Sequence, residues 1–179
     1  MTNREITNDR DKYETLLKDN GVSVKKDLSE KSPGFKFAEA EVNGIPVRIE
    51  IGSRDLENNK VTIVRRDTRE KITENADLDI VSYINELLET IQKDMYERAV
   101  ERRDKLTFEA HNMEDMKKIL NTQPGFIHAM WCGNPECETK IKEIKGCKSR
   151  CIVEEDPIDD KCVCCGKKAD KHVIWGIQY

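Results

Sequence analysis

The sequence has no apolar run approaching the roughly 20 residues needed to cross a bilayer. Its start, Met1-Thr2-Asn3-Arg4-Glu5, lacks the features of a signal peptide. A membrane partner is therefore not expected, and a cytoplasmic location is. Nor is there an excess of positive charge: 31 Lys and Arg stand against 35 Asp and Glu, a net of −4. That balance argues against a chain held to nucleic acid by bulk charge. It leaves room for a reader of exposed bases, which needs only a few stacked and hydrogen-bonded contacts. Internal repeats and low-complexity segments are absent, and no cysteine precedes Cys132.

What is present is charge of both signs, 37% of residues, beside an equal hydrophobic share. The 179 residues suffice for one domain or two small ones. Seven cysteines in a chain expected to be intracellular suggest metal or thiol chemistry more than disulfides.

The organising stretch is Ser32 to Asp67. Ser32 can cap a helix, Pro33 suits its first position, and Asn43-Gly44 is a normal exit. Phe35, Ala38 and Val42 predict an apolar face, while Phe37 and Glu41, four residues apart, share a different one. Pro46 opens a strand in which Val47, Ile49 and Ile51 alternate with Arg48 and Glu50. A second strand is predicted over Val61 to Val64. Strand, helix, strand in this order implies a parallel pair with a right-handed crossover, with ligands gathering at the carboxyl ends of the strands. There lies the Gly52-Ser53-Arg54-Asp55-Leu56-Glu57 loop. Phe37, Glu41, Arg48 and Arg54 are thereby expected around one surface.

Before this stretch, residues 7–20 read as a helix burying Tyr13, Leu16 and Leu17, and Val22 and Val24 as a short strand. Too few residues precede that helix to supply an opening strand, so the chain reads as beginning inside a domain. After Asp67 a polar turn leads to a long helix from about Asp77 to Asp104, apolar at Ile80, Ile84, Leu87, Leu88 and Ile91, then Met95 and Ala99. From 106 onward the pattern changes: a helix over 113–121, a strand over 126–131, a helix over 135–145, and strands at 151–153 and 172–177. The expected fold is α/β, with a mixed, mainly parallel sheet in domain 1–105 and a small α+β domain over 106–179.

Cys132 and Cys137 form one pair and Cys162 and Cys165 another, with Gly133, Asn134, Pro135 and Gly166 allowing tight turns. Two such knuckles suit a tetrahedral four-thiolate zinc site, which has no open position and holds a fold together without catalysing. Cys164 reads as a bystander, and Cys147 or Cys151 are the alternative ligands. A redox Cys162/Cys165 pair leaves the first knuckle unexplained. His111, His128 and His172 are scattered and read as packing or surface residues.

The runs Ser32-Pro33-Gly34-Phe35-Lys36-Phe37, Gly44 to Gly52, Arg54-Asp55-Leu56-Glu57 and Val64-Arg65-Arg66-Asp67-Thr68 resemble prolyl-tRNA synthetase, in the form with a zinc-binding domain after its anticodon-binding domain. Trp131-Cys132-Gly133, Glu136-Cys137-Glu138, Ile141-Lys142-Glu143, Arg150-Cys151, Cys165-Gly166-Lys167 and a terminal Tyr179 agree. The resemblance implies that Phe37, Glu41, Arg48 and Arg54 contact the two adjacent guanines of the proline tRNA anticodon. Physically, Glu41 can accept from guanine N–H groups, arginines can donate to O6 and N7, and Phe37 offers a stacking plane. Alternatively, Phe37 is core and Arg48 pairs with Glu50 or Asp55.

The sequence has Ser53, Arg69 and Ala40 where the family usually carries proline, glycine and often an aromatic. The resemblance also implies a homodimer for the full enzyme and an active-site-facing role for Tyr179. Nothing in the chain resembles the class II catalytic domain that binds ATP and Mg. The expectation is the C-terminal part of a proline–tRNA ligase, partnered by tRNA and a catalytic domain but not by DNA, and inactive alone. The rival reading is a free-standing zinc module binding RNA or protein in trans.

Overall fold

In a computed structural model the chain forms two compact units, Met1–Arg98 and Ala99–Tyr179. The structure describes residues 3–144 and 146–178, with only the backbone for 3–10. The first unit holds α1 (Asn3–Asp19), α2 (Pro33–Val42), β1 (Val47–Glu50), α3 (Ser53–Glu57), β2 (Lys60–Arg65), β3 (Lys71–Asn75) and most of α4 (Ile80–Lys105). Gly21, at φ +81°, closes α1 by donating its N–H to the Lys18 carbonyl.

The α/β reading stands, but the parallel pair in this unit does not. Its sheet, in the order β1-β2-β3, is antiparallel throughout. The link from β1 to β2 holds only the five-residue α3, whereas a parallel return needs about a dozen residues or more. Val22 and Val24 form no strand; they pack half-buried against the core instead. Strand β3 has no sequence signal of its own, because Ile72 is its single aliphatic among Lys71, Thr73, Glu74 and Asn75.

One sheet face carries Val47, Ile49 and Ile63 into a core with Tyr13, Leu17, Ile80 and Ile84. Tyr13 donates its hydroxyl to the Ala76 carbonyl at 2.9 Å. The other face carries the cross-strand row Arg48, Val64 and Lys71. Helix α2 turns its Phe37 side toward that row, so the face predicted to be buried is the one left in solvent: Phe35 is 56% and Val42 87% exposed. Leu16 is likewise exposed, and the packing stripe of α4 ends near Ile91, leaving Met95 and Ala99 outside.

The second unit contains β4 (Thr107–Glu109), α5 (Met113–Thr122), β5 (Phe126–Trp131), α6 (Pro135–Lys142), β6 (Cys147–Ile152) and β7 (Lys171–Ile177). Its sheet runs β4-β5-β7-β6, with β4 and β5 parallel and the other pairs antiparallel. Here α5 is the crossover, with its Asn112 side chain capping the N–H groups of Glu114 and Asp115. Met116, Leu120, Ile127, Ala129, Ile141, Val173 and Trp175 make the core. No described helix is long and apolar enough to cross a membrane.

Candidate functional site

The first thiol knuckle grows out of β5. Gly133 takes φ +82°, a left-handed conformation that turns the chain immediately after Cys132. The Asn134 side chain accepts from the Glu136 N–H and Pro135 opens α6, which places Cys137 within its first turn. In the second knuckle the Cys162 N–H donates to the Lys167 carbonyl at 2.7 Å and the Gly166 N–H to the Cys162 carbonyl at 2.9 Å. Gly166 has φ +68°. The Val163 N–H donates to the Met130 carbonyl at 2.9 Å, tying this knuckle to the strand that carries the first.

The sulfurs of Cys132, Cys137, Cys162 and Cys165 all lie within 4.8 Å of one another. Cys132 is 3.8 Å from both Cys137 and Cys165. A tetrahedron with metal–sulfur bonds of about 2.3 Å has edges of roughly 3.8 Å, so these donors fit one four-thiolate ion. Burial pushes the Cys137 thiol up, while the Lys167 backbone N–H draws exposed Cys165 down to about 7. Cys147 is fully buried in the sheet core and Cys151 is exposed; neither joins the cluster, nor does Cys164. The predicted strand at 151–153 is in fact β6, which starts at Cys147 and takes that thiol inward.

In the first unit Phe37 and Glu41 share the side of α2 that meets β1. The Arg48 guanidinium lies 4.2 Å from the Phe37 ring centroid and 3.9 Å from Glu41. Its Nε donates to Glu50 at 2.9 Å, so one carboxylate pairing weighed from sequence is also present. Lys71 stands 5.6 Å from the same ring. Arg54 is exposed on α3, a helical turn where a loop was expected, and no hydrogen bond or ion pair among the described residues joins it to the other three. Tyr179 lies outside the described residues.

The histidines are not all scattered. His128 on β5 and His172 on β7 are diagonal neighbours on one face of an antiparallel pair, and their rings are hydrogen-bonded at 2.9 Å. Placing the two strands side by side was the signal needed, and spacing along the sequence alone does not provide it.

Residues 1–94 match the family described as anticodon binding domain, and residues 113–179 match the C-terminal domain of prolyl-tRNA synthetase. A proline–tRNA ligase of Clostridium novyi is 50% identical over 157 residues, which is 87% of this chain and 33% of that protein. One from Lachnospira eligens is 51% identical over 164 residues, 91% of this chain and 34% of the relative. The chain thus spans about a third of the length of these curated relatives. It belongs to the anticodon-binding domain family, continued by the C-terminal domain of prolyl-tRNA synthetase.

Proposed function

We propose that this chain binds the anticodon stem-loop of proline tRNA on the α2–β1 surface and reads its two guanines. The observation that carries the reading is the convergence of Phe37, Glu41 and Arg48, an aromatic plane, an acid and a guanidinium within one contact distance. Phe37 stacks an unpaired base, Arg48 donates to guanine O6 and N7, and Glu41 accepts from guanine N–H groups. Glu50 holds Arg48 by Nε, leaving its terminal nitrogens as donors. Arg54 contacts the RNA from the adjoining turn.

Residues 106–179 act as a second domain whose four cysteines hold a structural zinc ion. When bound, zinc supplies a rigid tetrahedral junction. Cys132 and Cys137 present it from the end of β5 and the start of α6, and Cys162 and Cys165 from the facing turn. In the cytoplasm the chain serves aminoacylation with proline by orienting the tRNA toward prolyl-adenylate made on a class II catalytic domain.

The test is binding of anticodon-loop RNAs in which each guanine is replaced in turn. Loss of affinity at both positions supports decoding. Equal binding of all the RNAs overturns it in favour of a zinc module acting in trans on another target.

A further inference from the structure

The second unit carries a cleft of about 650 Å³ beside β4 and β5, lined by Glu109, His128, Glu155, Asp156 and His172 among others. Its donor set differs from that of the thiol cluster. His172 is 4% exposed. Its Nδ1 lies 3.1 Å from the Asp156 carbonyl. A carbonyl can only accept, so Nδ1 carries the proton and Nε2 is left with a lone pair. That lone pair faces His128 Nδ1 at 2.9 Å, and Glu155 Oε2 stands 3.9 Å from the same His128 nitrogen. One donor atom from each of the three residues falls within a 4.8 Å group.

We propose that His128, His172 and Glu155 form a second metal centre, for a divalent first-row transition ion such as zinc, which replaces the proton that His128 Nδ1 now donates to His172 Nε2 and releases it to solvent. Two imidazole nitrogens at bonds of about 2.0–2.1 Å to one tetrahedral ion are separated by roughly 3.3 Å. The present separation of 2.9 Å therefore has to open by only about 0.4 Å to admit the ion. A buried histidine that donates its far ring N–H to a backbone carbonyl is held in the tautomer and orientation of a metal ligand. Imidazole and carboxylate donors favour zinc, cobalt or nickel over calcium or magnesium. Three protein ligands leave a position open to water from the cleft, unlike the closed thiolate set. The ion joins the acidic segment 154–156 to β5 and β7.

The experiment uses the full 179-residue chain, with one equivalent of zinc already on its cysteines. Cobalt is then titrated, followed by calorimetry, metal analysis and visible absorption. The expected result is one further equivalent whose spectrum lacks thiolate-to-cobalt charge transfer. His128→Gln abolishes that equivalent, and Glu155→Gln, a change at an exposed side chain that leaves the core untouched, weakens it at least about tenfold. Both variants keep the first zinc. A wild-type chain that takes up no second equivalent overturns the proposal. So does a second equivalent that Glu155→Gln leaves unchanged, or one showing thiolate bands.

Discussion

The guanidinium of Arg65, at the end of β2, bridges Asp67 at 3.0 Å and Asp94 of α4 at 2.6 Å. Arg98 adds a second cation to Asp67 at 3.0 Å, and the Asp67 side chain is only 5% exposed. Asp67→Asn leaves Arg65 paired with Asp94 alone, and is expected to lower the unfolding free energy by about 1–2 kcal/mol. The hydrogen bond from Arg65 holds the Asp67 carboxyl down from 3.8 to about 2. Its contribution is therefore complete above pH 3.8 and is lost as pH falls from there toward 2. Urea melts across that window should show a steeper loss in the wild type than in Asp67→Asn, where Glu14 and the other depressed carboxyls still titrate.

Replacing Phe37 by leucine removes the stacking plane while changing little of the core, since α2 has no buried residue. Affinity for an anticodon stem-loop should fall by about 1–3 kcal/mol, with the denaturation midpoint nearly constant. Arg48→Lys keeps the charge but loses the planar fork, and should relax discrimination against guanine-substituted loops. Fluorescence titrations read both, and unchanged affinity in Phe37→Leu contradicts the stacking role.

Chelation should remove the ion proposed for the four thiols and cooperatively unfold the second unit. Cys137→Ser should reproduce this without a chelator. Cys164→Ser should keep a full equivalent on the four-thiol site, because its sulfur is not in that cluster. Metal analysis beside near-ultraviolet dichroism of the tryptophans distinguishes these outcomes.

Arg69 occupies the left-handed region at φ +61°. A side chain there costs roughly 1–2 kcal/mol, partly offset because glycine loses more freedom on folding. Arg69→Gly is thus expected to raise stability by up to about 1 kcal/mol, read as a higher urea midpoint.

Gly125 answers to a different constraint. A Cβ placed on it would lie 2.1 Å from the Leu106 carbonyl oxygen, which is backbone and cannot swing aside. Gly125→Ala should destabilise the second unit by at least about 2–3 kcal/mol, seen as a lower melting temperature.

The thiol knuckles were legible because turn chemistry and ligand spacing are local. Gly133 and Gly166 took the positive φ values their positions imply. The pairing of Phe37 with Glu41 was legible from helix periodicity; their meeting with Arg48 was expected from a parallel crossover, and it occurs on an antiparallel sheet instead. Local pattern failed where a choice depended on distant partners. Phe35 and Val42 matched a buried stripe as well as any residues in the chain, but the sheet face opposite α2 is polar and selected the Phe37 side. Strand direction around β1 depended on the length of the α3 connection. The His128–His172 pair came only with the β5–β7 register.

The four thiols flank the segment from Glu138 to Lys161, and the Val163 N–H, anchored on the Met130 carbonyl, draws its two ends together. An ion gripping both ends works as a cross-link that shrinks the ensemble of the unfolded chain, much as a disulfide does. Unlike a disulfide it survives in glutathione. An ion held there would staple the second unit shut where oxidised bonds do not last, and a competitor that strips it would release the staple.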